Sequence, residues 1–392
     1  MTSLSTVVSP RNPTATQNSS ESIRFGILST YPDTPCGLAT FSAALGDGLA
    51  ANGADVAVVR VSDDAPSPDP RVIGQLVNGS PQSVTAATYA LNGLDVAVIQ
   101  HEYGIYGGTD GDEVLQILDG LHVPSIVVAH TVLKSPTRNQ RRVLEAVVAL
   151  SDRVVVMSES ASRRLRRRYD VDPRKVVTIP HGASIALSPL GSTPARPTLL
   201  TWGLIGPGKG IGRVIDTMAT LIDLPDSPRY LVAGRTHPKV LASDGEAYRN
   251  ARIQQAQHRG VAGSVIFDDS YRDLASLSPL VQSASVVVLP YDSTDQVTSG
   301  VLVDSVASGR PVVSTAFPHA VELLGSGAGI VVDHDDAHGL ATALRRVLTE
   351  PHLAESMAAE ARRLSPTMAW PVVAEAYAGL AAHLLAERRA RA

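Results

Sequence analysis

The chain has 392 residues, of which 44% are hydrophobic and 18% charged, and a net charge of −4. That length exceeds what one ordinary core organises and makes two domains the natural expectation. Mild acidity excludes the strongly basic face of a nucleic-acid binder, and no apolar run reaches the roughly 20 residues of a membrane-crossing helix. The single cysteine, Cys36, forbids an internal disulfide and suits a reducing, cytoplasmic location.

Residues 1–22 are rich in Ser, Thr, Asn and Pro, lack the apolar stretch of a signal peptide, and read as a disordered tail. From there, short β-prone runs alternate with helical patterns. Strands are predicted at 23–29, 56–61, 96–100, 125–130, 154–158 and 176–179, with Leu38, Phe41, Leu45 and Leu49 at helical spacing after the first. This rhythm argues for βαβ units and a parallel sheet, giving a first doubly wound domain over 23–183. Residues 184–197 carry Ser, Gly, Thr and Pro and read as a linker or hinge. A second set of strands, at 198–202, 230–233, 265–267, 286–289, 311–314 and 330–332, predicts a second doubly wound domain over 198–366. These runs are nearly continuously apolar, as when helices cover both faces of a sheet. The last segment, 367–392, is helical, with Val372, Val373, Ala376, Tyr377 and Leu380 on one side, and is expected to pack back on the first domain. The basic run 163–168 reads either as a solvated helix face or as a contact for phosphates or acidic lipid, which leaves a peripheral membrane contact open.

In open α/β sheets ligands bind beyond the carboxyl ends of the strands, and the polar motifs fall there. Gly37 follows the first strand, where it permits close approach to a backbone or simply makes a turn. The third strand runs into QHEYGIYGG, where His101, Glu102 and Tyr103 suit a sugar-facing loop: rings stack on sugar faces and carboxylates bind hydroxyls. The alternative is a polar loop capped by glycine turns. His130 ends the fourth strand, either as a hydroxyl-binding group or as a satisfied core histidine. His181 and Gly182 close the first half; Gly182 suits the turn into the linker and His181 is ambiguous.

The second half opens on WGLIGPGKG and a helix over 211–221. Amides near Gly206 and Gly208, with Lys209 at the mouth, make a phosphate trap, although the spacing is not that of a Walker loop. The bland alternative is a surface loop with a solvated lysine. Arg235 and His237 follow the strand at 230–233. The stretch 286–315 reads strand, polar turn, helix (about 301–308), strand. There the N–H groups of Ser299, Gly300 and Val301 are expected to point out of the helix start as an anion site, with Gln296 and Asp304 flanking it. No HxxH, cysteine pair or ligand-spaced carboxylate cluster suggests a metal, and Asp333, Asp335 and Asp336 read as capping groups.

The order of HEYGIYGG, AHTVL, IPHG, GLIGPGKG and QVTSGVLVDSVASGRPVVST resembles the retaining glycosyltransferases of sequence family 4, over about residues 23–385. The resemblance implies the GT-B fold, two Rossmann-like α/β domains facing across a cleft. It also implies a hexosyl transfer without metal or cofactor, from a nucleotide-diphosphate sugar to a carbohydrate or small-molecule acceptor, with GDP-mannose as the expected donor. Lys209 matches the family's diphosphate-binding lysine, and the amides of Ser299 to Val301 match its phosphate cradle. Gln296 and Asp304 stand where the family has two glutamates, for sugar hydroxyls and ribose, and Leu204 where it has an arginine. His130 looks like the family histidine beside the transferred sugar. The catalytic set is therefore Lys209, His130 and Gln296, with Gly37, His101, Glu102 and Tyr103 on the acceptor side. A sugar-nucleotide epimerase, a phosphorylase, or a non-catalytic sugar-nucleotide-binding partner on the same fold remain the alternatives.

Overall fold

The computed structural model describes residues 22–34, 36–62, 66–184, 196–270 and 272–391. The expected tail and most of the expected linker, at 185–195, lie outside the described residues. The first half runs β1 (Arg24–Ser29), α1 (Gly37–Ala51), β2 (Asp55–Val61), β3 (Val72–Leu76), α2 (Pro81–Asn92), β4 (Val96–His101), α3 (Val114–Asp119), β5 (Ser125–Ala129), α4 (Arg138–Leu150), β6 (Arg153–Val156), α5 (Glu159–Arg168) and β7 (Val176–Thr178). The second runs β8 (Thr198–Trp202), α6 (Ile211–Met218), β9 (Arg229–Ala233), α7 (Pro238–Asp244), α8 (Ala247–His258), β10 (Val265–Asp268), α9 (Leu274–Gln282), β11 (Val286–Leu289), α10 (Gly300–Ala307), β12 (Val312–Thr315), α11 (Pro318–Leu324), β13 (Gly329–Val332), α12 (Ala337–Thr349), α13 (Pro351–Leu364) and α14 (Trp370–Arg391).

The strands form two parallel sheets, ordered β3-β2-β1-β4-β5-β6-β7 and β10-β9-β8-β11-β12-β13. Both therefore reverse direction between their first strand and the fourth in sequence, β1 beside β4 and β8 beside β11. That reversal parts the flanking loops and opens a crevice at the carboxyl ends. β4, β5, β8, β11 and β12 are buried along their whole length, which is why they read as unbroken apolar runs. β3 went unread because it is an edge strand with Gly74 and Gln75 inside it and only Leu76 buried. Helix starts follow the capping rules. Thr137 and Gln140 form a capping box on α4, and Ser80, Ser158, Asp273, Ser299 and Asp336 each accept an N–H of the first turn.

Helix α14 returns to the first sheet. Trp370, Val373, Ala374, Tyr377, Ala381 and Leu384 join Phe25, Ile27, Phe41, Leu45 and Leu49 in one core. Each large apolar side chain so buried contributes about 1.5–3 kcal/mol. The contact with α1 is close because residue 48 is glycine: a Cβ there would sit 2.7 Å from the Trp370 carbonyl oxygen. The expected face was partly wrong, since Val372 is 49% exposed and Ala376 is also exposed. The buried stripe is set by where small Ala374 and Ala381 let two helices approach, not by hydrophobicity alone.

Candidate active site

The loop after β8 enters α6 through Gly210, in the left-handed region at φ 63°. A Cβ at Gly210 would lie 1.6 Å from the Pro290 carbonyl oxygen, so only glycine fits. The Asp292 N–H also donates to the Gly208 carbonyl at 2.9 Å. The two loops at the β8/β11 switch point are thus stitched together, with Gly206, Gly208 and Lys209 at the mouth. Lys209 is half-buried, its Nζ 4.4 Å from the centre of the Tyr291 ring. The ring face attracts the ammonium without neutralising it as a carboxylate would.

Helix α10 starts at Gly300. Its N-cap Ser299 takes the Leu302 N–H on Oγ at 3.2 Å. The Ser299 N–H does not point outward as expected: it donates to Nδ1 of His319 at 2.9 Å, and His319 is only 4% exposed. The cradle therefore consists of the Gly300 and Val301 amides, which open the helix and have no partner within it. His181 lies over this start, its Nε2 3.0 Å from where a Gly300 Cβ would be. His181 Nδ1 meets the Gly182 carbonyl at 2.6 Å; a carbonyl only accepts, so Nδ1 carries the hydrogen and Nε2 is left as an acceptor facing α10. Asp304, one turn into α10, accepts the Ser184 N–H at 2.7 Å, which ties it to the chain leaving the first domain.

His130 stands opposite. Its Nε2 pairs with Gln100 Oε1 at 2.6 Å. Phe41 meets both rings edge-on, at 4.8 Å for His130 and 5.0 Å for His181. Burial, then the neighbouring His181 and His101, pull His130 down to about 3, so it works as a neutral imidazole. Burial pushes His181 down to about 4, partly offset by the Gly182 carbonyl. His130, Thr131 and Arg164 of the first domain and Asp295, Gln296 and Thr298 of the second line one cavity of about 330 Å³. Arg164 spans it, donating to the carbonyls of Val132 at 2.8 Å and Asp295 at 2.7 Å. Gln296, which lines this cavity, donates through Nε2 to Thr298 O at 3.0 Å.

The acceptor-side group is only partly brought together. Glu102 is half-buried, accepts the Tyr103 N–H at 3.0 Å and the Thr131 hydroxyl, and burial raises its pKa. Lys239 of the second domain approaches the same loop, its Nζ 3.6 Å from the Cβ position of Gly104. His101 does not reach the cleft surface. It is 1% exposed, stacked edge-on against Tyr103 at 5.2 Å, and pushed down to about 4 by burial. Tyr103 is half-buried with its hydroxyl enclosed. Gly37 is exposed and lines a second cavity, of about 200 Å³, with Cys36, Leu204, Arg235 and Arg272. Leu204, Arg235 and Arg272 are among its lining residues, and the Arg272 guanidinium pairs with Asp268. Arg164 lies in the basic run 163–168, but Arg272, His319 and Glu322 were not singled out in sequence; no local motif marks them, and the bonds of His319 and Glu322 reach residues 20 and 163 positions away. Among the described residues no group of three or more His, Cys, Asp or Glu is placed to hold a metal. No helix among them is long and apolar enough to cross a membrane.

Comparison with known proteins bears on this arrangement. The pattern described as Glycosyltransferase Family 4 matches residues 35–187, and that described as Glycosyl transferases group 1 matches residues 196–350. The two matches, one in each half of the chain, support a glycosyltransferase of the family-4 type. Curated relatives include the D-inositol 3-phosphate glycosyltransferase of Rhodococcus opacus (strain B4), 28% identical over 278 residues, or 64% of this chain and 60% of that protein. The enzyme of the same name from Thermobifida fusca (strain YX) is 27% identical over 241 residues, covering 58% and 54%. The chain thus matches roughly 60% or less of the length of these relatives. Among solved structures, sucrose-phosphate synthase from Thermosynechococcus elongatus superposes with a TM-score of 0.75 at 20% identity, covering 93% of this chain and all of that one. Anabaena HepE in complex with UDP and glucose superposes with a TM-score of 0.74 at 13% identity, covering 92% and 100%. At such identities the likeness establishes the fold, which is GT-B.

Proposed function

We propose that this chain is a glycosyltransferase of the family-4 type that moves a hexosyl group from a nucleoside-diphosphate sugar to a hydroxyl acceptor with retention at the anomeric carbon. One observation supports the reading: the loop that carries Lys209 is bonded to the loop after β11 through Asp292 and Gly208, and that second loop runs through Gln296, which shares a cavity with His130, into the α10 start with its Gly300 and Val301 amides. The diphosphate would lie between Lys209 and the α10 start, and the sugar beside His130 and Gln296. The bond from the anomeric carbon to the β-phosphate oxygen breaks, a new bond to the acceptor oxygen forms, and the acceptor proton passes to the leaving phosphate. Lys209 and the amides then need only meet the charge that grows on that phosphate. One such donor contributes a factor of about 100–1,000 in kcat. In this reading they do so without a metal ion.

The sugar and acceptor are chosen by assay. GDP-mannose is the donor suggested by resemblance, UDP-glucose that suggested by the ligands of Anabaena HepE, and D-inositol 3-phosphate the acceptor suggested by the curated relatives. Transfer is measured for wild type and Lys209→Ala with this panel, with and without EDTA. The expected result is a fall of about 100-fold in kcat for the variant and no effect of EDTA. Lys209→Ala turnover within twofold of wild type refutes the donor site. A second reading is favoured by Asp304 being held by Ser184 and by Gln296 being neutral: the cleft binds the sugar nucleotide without turning it over. Calorimetric donor binding with no product from any acceptor would select it.

A further inference from the structure

The two domains are joined by a contact that the catalytic reading does not use. Glu322, on α11 of the second domain, places both carboxylate oxygens on the start of α5 in the first. Oε1 accepts the Glu159 N–H at 2.8 Å, and Oε2 accepts the Ser160 N–H and hydroxyl, each at 2.7 Å. These amides have no partner within α5, and the positive end of the helix dipole favours the carboxylate. The N-cap of α5, Ser158, donates its hydroxyl to the Val297 carbonyl at 2.6 Å. Val297 lies in the loop that carries Gln296 and ends at Ser299.

Helix α11 grips that same loop at both ends. The backbone N–H of His319 donates to the Gln296 carbonyl at 3.3 Å, and its Nδ1 takes the Ser299 N–H at 2.9 Å. His319 and Glu322 are three residues apart on one helix and so share a face. The bonds close a ring: from α5 through Ser158 to Val297, along the loop to His319, down α11 to Glu322, and back to α5. Glu322 is exposed, so water can replace its bonds when the cleft opens. A clasp that must release on every turnover needs that property, and a buried ion pair would lack it.

We propose that Glu322 is a positioning residue, the clasp that holds the cleft closed, and that α11 carries closure to the start of α10 through His319. The first domain then sets the geometry of Gln296 and of the Gly300 and Val301 amides, so that an activated sugar is gripped only when water is excluded. The functional consequence rests on the donor site proposed above; the clasp does not.

The test uses the full chain without ligand, comparing wild type with Glu322→Ala, Glu322→Gln, His319→Asn and His319→Leu. Amide hydrogen exchange and small-angle scattering are the readouts. Losing this cap is expected to favour the open form by roughly three- to tenfold. Glu322→Ala then shows a larger radius of gyration and exchange faster by that factor at Glu159, Ser160 and Ser299. Glu322→Gln, which keeps one good acceptor, shows a smaller change. His319→Asn, whose Oδ1 stands in for Nδ1, keeps Ser299 protected, whereas His319→Leu exposes Ser299. With a turned-over donor, Glu322→Ala loses more sugar to water per transfer, a ratio that a purely structural loss would leave unchanged. An unchanged radius with unchanged exchange at Glu159 and Ser160 overturns the clasp. Unchanged exchange at Ser299 in both Glu322→Ala and His319→Leu overturns the coupling. Full activity of Lys209→Ala would overturn the donor site and leave these ligand-free results standing.

Discussion

Acid should unfold this protein earlier than its net charge alone suggests, because neutral histidines are built into it. His101 is 1% exposed and His319 4%, and burial pulls each from 6.5 to about 4. For His319 the neighbouring His181 adds to the fall and Glu322 opposes it. For such a group the native state binds fewer protons than the unfolded chain, so its contribution is intact above pH 6.5 and is lost as pH falls from there toward 4. At pH 5.5 each costs about 1.4 kcal/mol, and the two together about 3 kcal/mol. That is a large part of a typical 5–15 kcal/mol. His130 and His181 shift the same way, but both are partly open to the cleft and carry less weight. Urea midpoints measured from pH 7.5 to 5.5 should fall steeply. His101→Leu, which keeps an apolar neighbour for Tyr103, should recover about 1.4 kcal/mol of that fall. A midpoint flat across this range, or a variant that falls in parallel with wild type, would refute the assignment of neutral buried imidazoles.

Two further substitutions probe the frame around the site. Gly210→Ala puts a Cβ against the Pro290 carbonyl at positive φ and should cost about 1–3 kcal/mol or more. It should also weaken nucleotide binding by moving Lys209 off Tyr291, which urea unfolding and calorimetry together would show. Trp370→Ala removes the first anchor of α14, beside Phe41 at 4.9 Å, and should cost about 3–5 kcal/mol in urea unfolding. Exchange should rise along α1 and α14, while the second sheet stays protected.

Much of the fold was legible because buried parallel strands leave a plain trace. Thr198–Trp202 and Val286–Leu289 lie where their apolar runs put them, and β4 extends past the expected end by one residue, His101. What failed was what depends on a partner. β3 has one neighbour strand and little burial, so its composition is that of a loop. The face of α14 follows from the close approach of Gly48, a residue more than 300 positions away. At the candidate site, the glycine-rich loop with Lys209 and Gly210 was visible because its composition is a local signal. The loss of the Ser299 amide to His319 was not, since the acceptor arrives from the next helix along. His101 was misplaced for a similar reason: a polar residue at a strand end looks alike whether a loop folds over it or leaves it open.

The return of α14 to the first sheet has a consequence for how the molecule is made. Its first core includes residues 25–49 and also 370–384. A ribosome must therefore deliver residues as far as 384 before that core can finish, so the first lobe cannot mature until the second has been made. Until then the newborn surface of Phe41, Leu45 and Leu49 is sticky, and a chaperone would be expected to find it there.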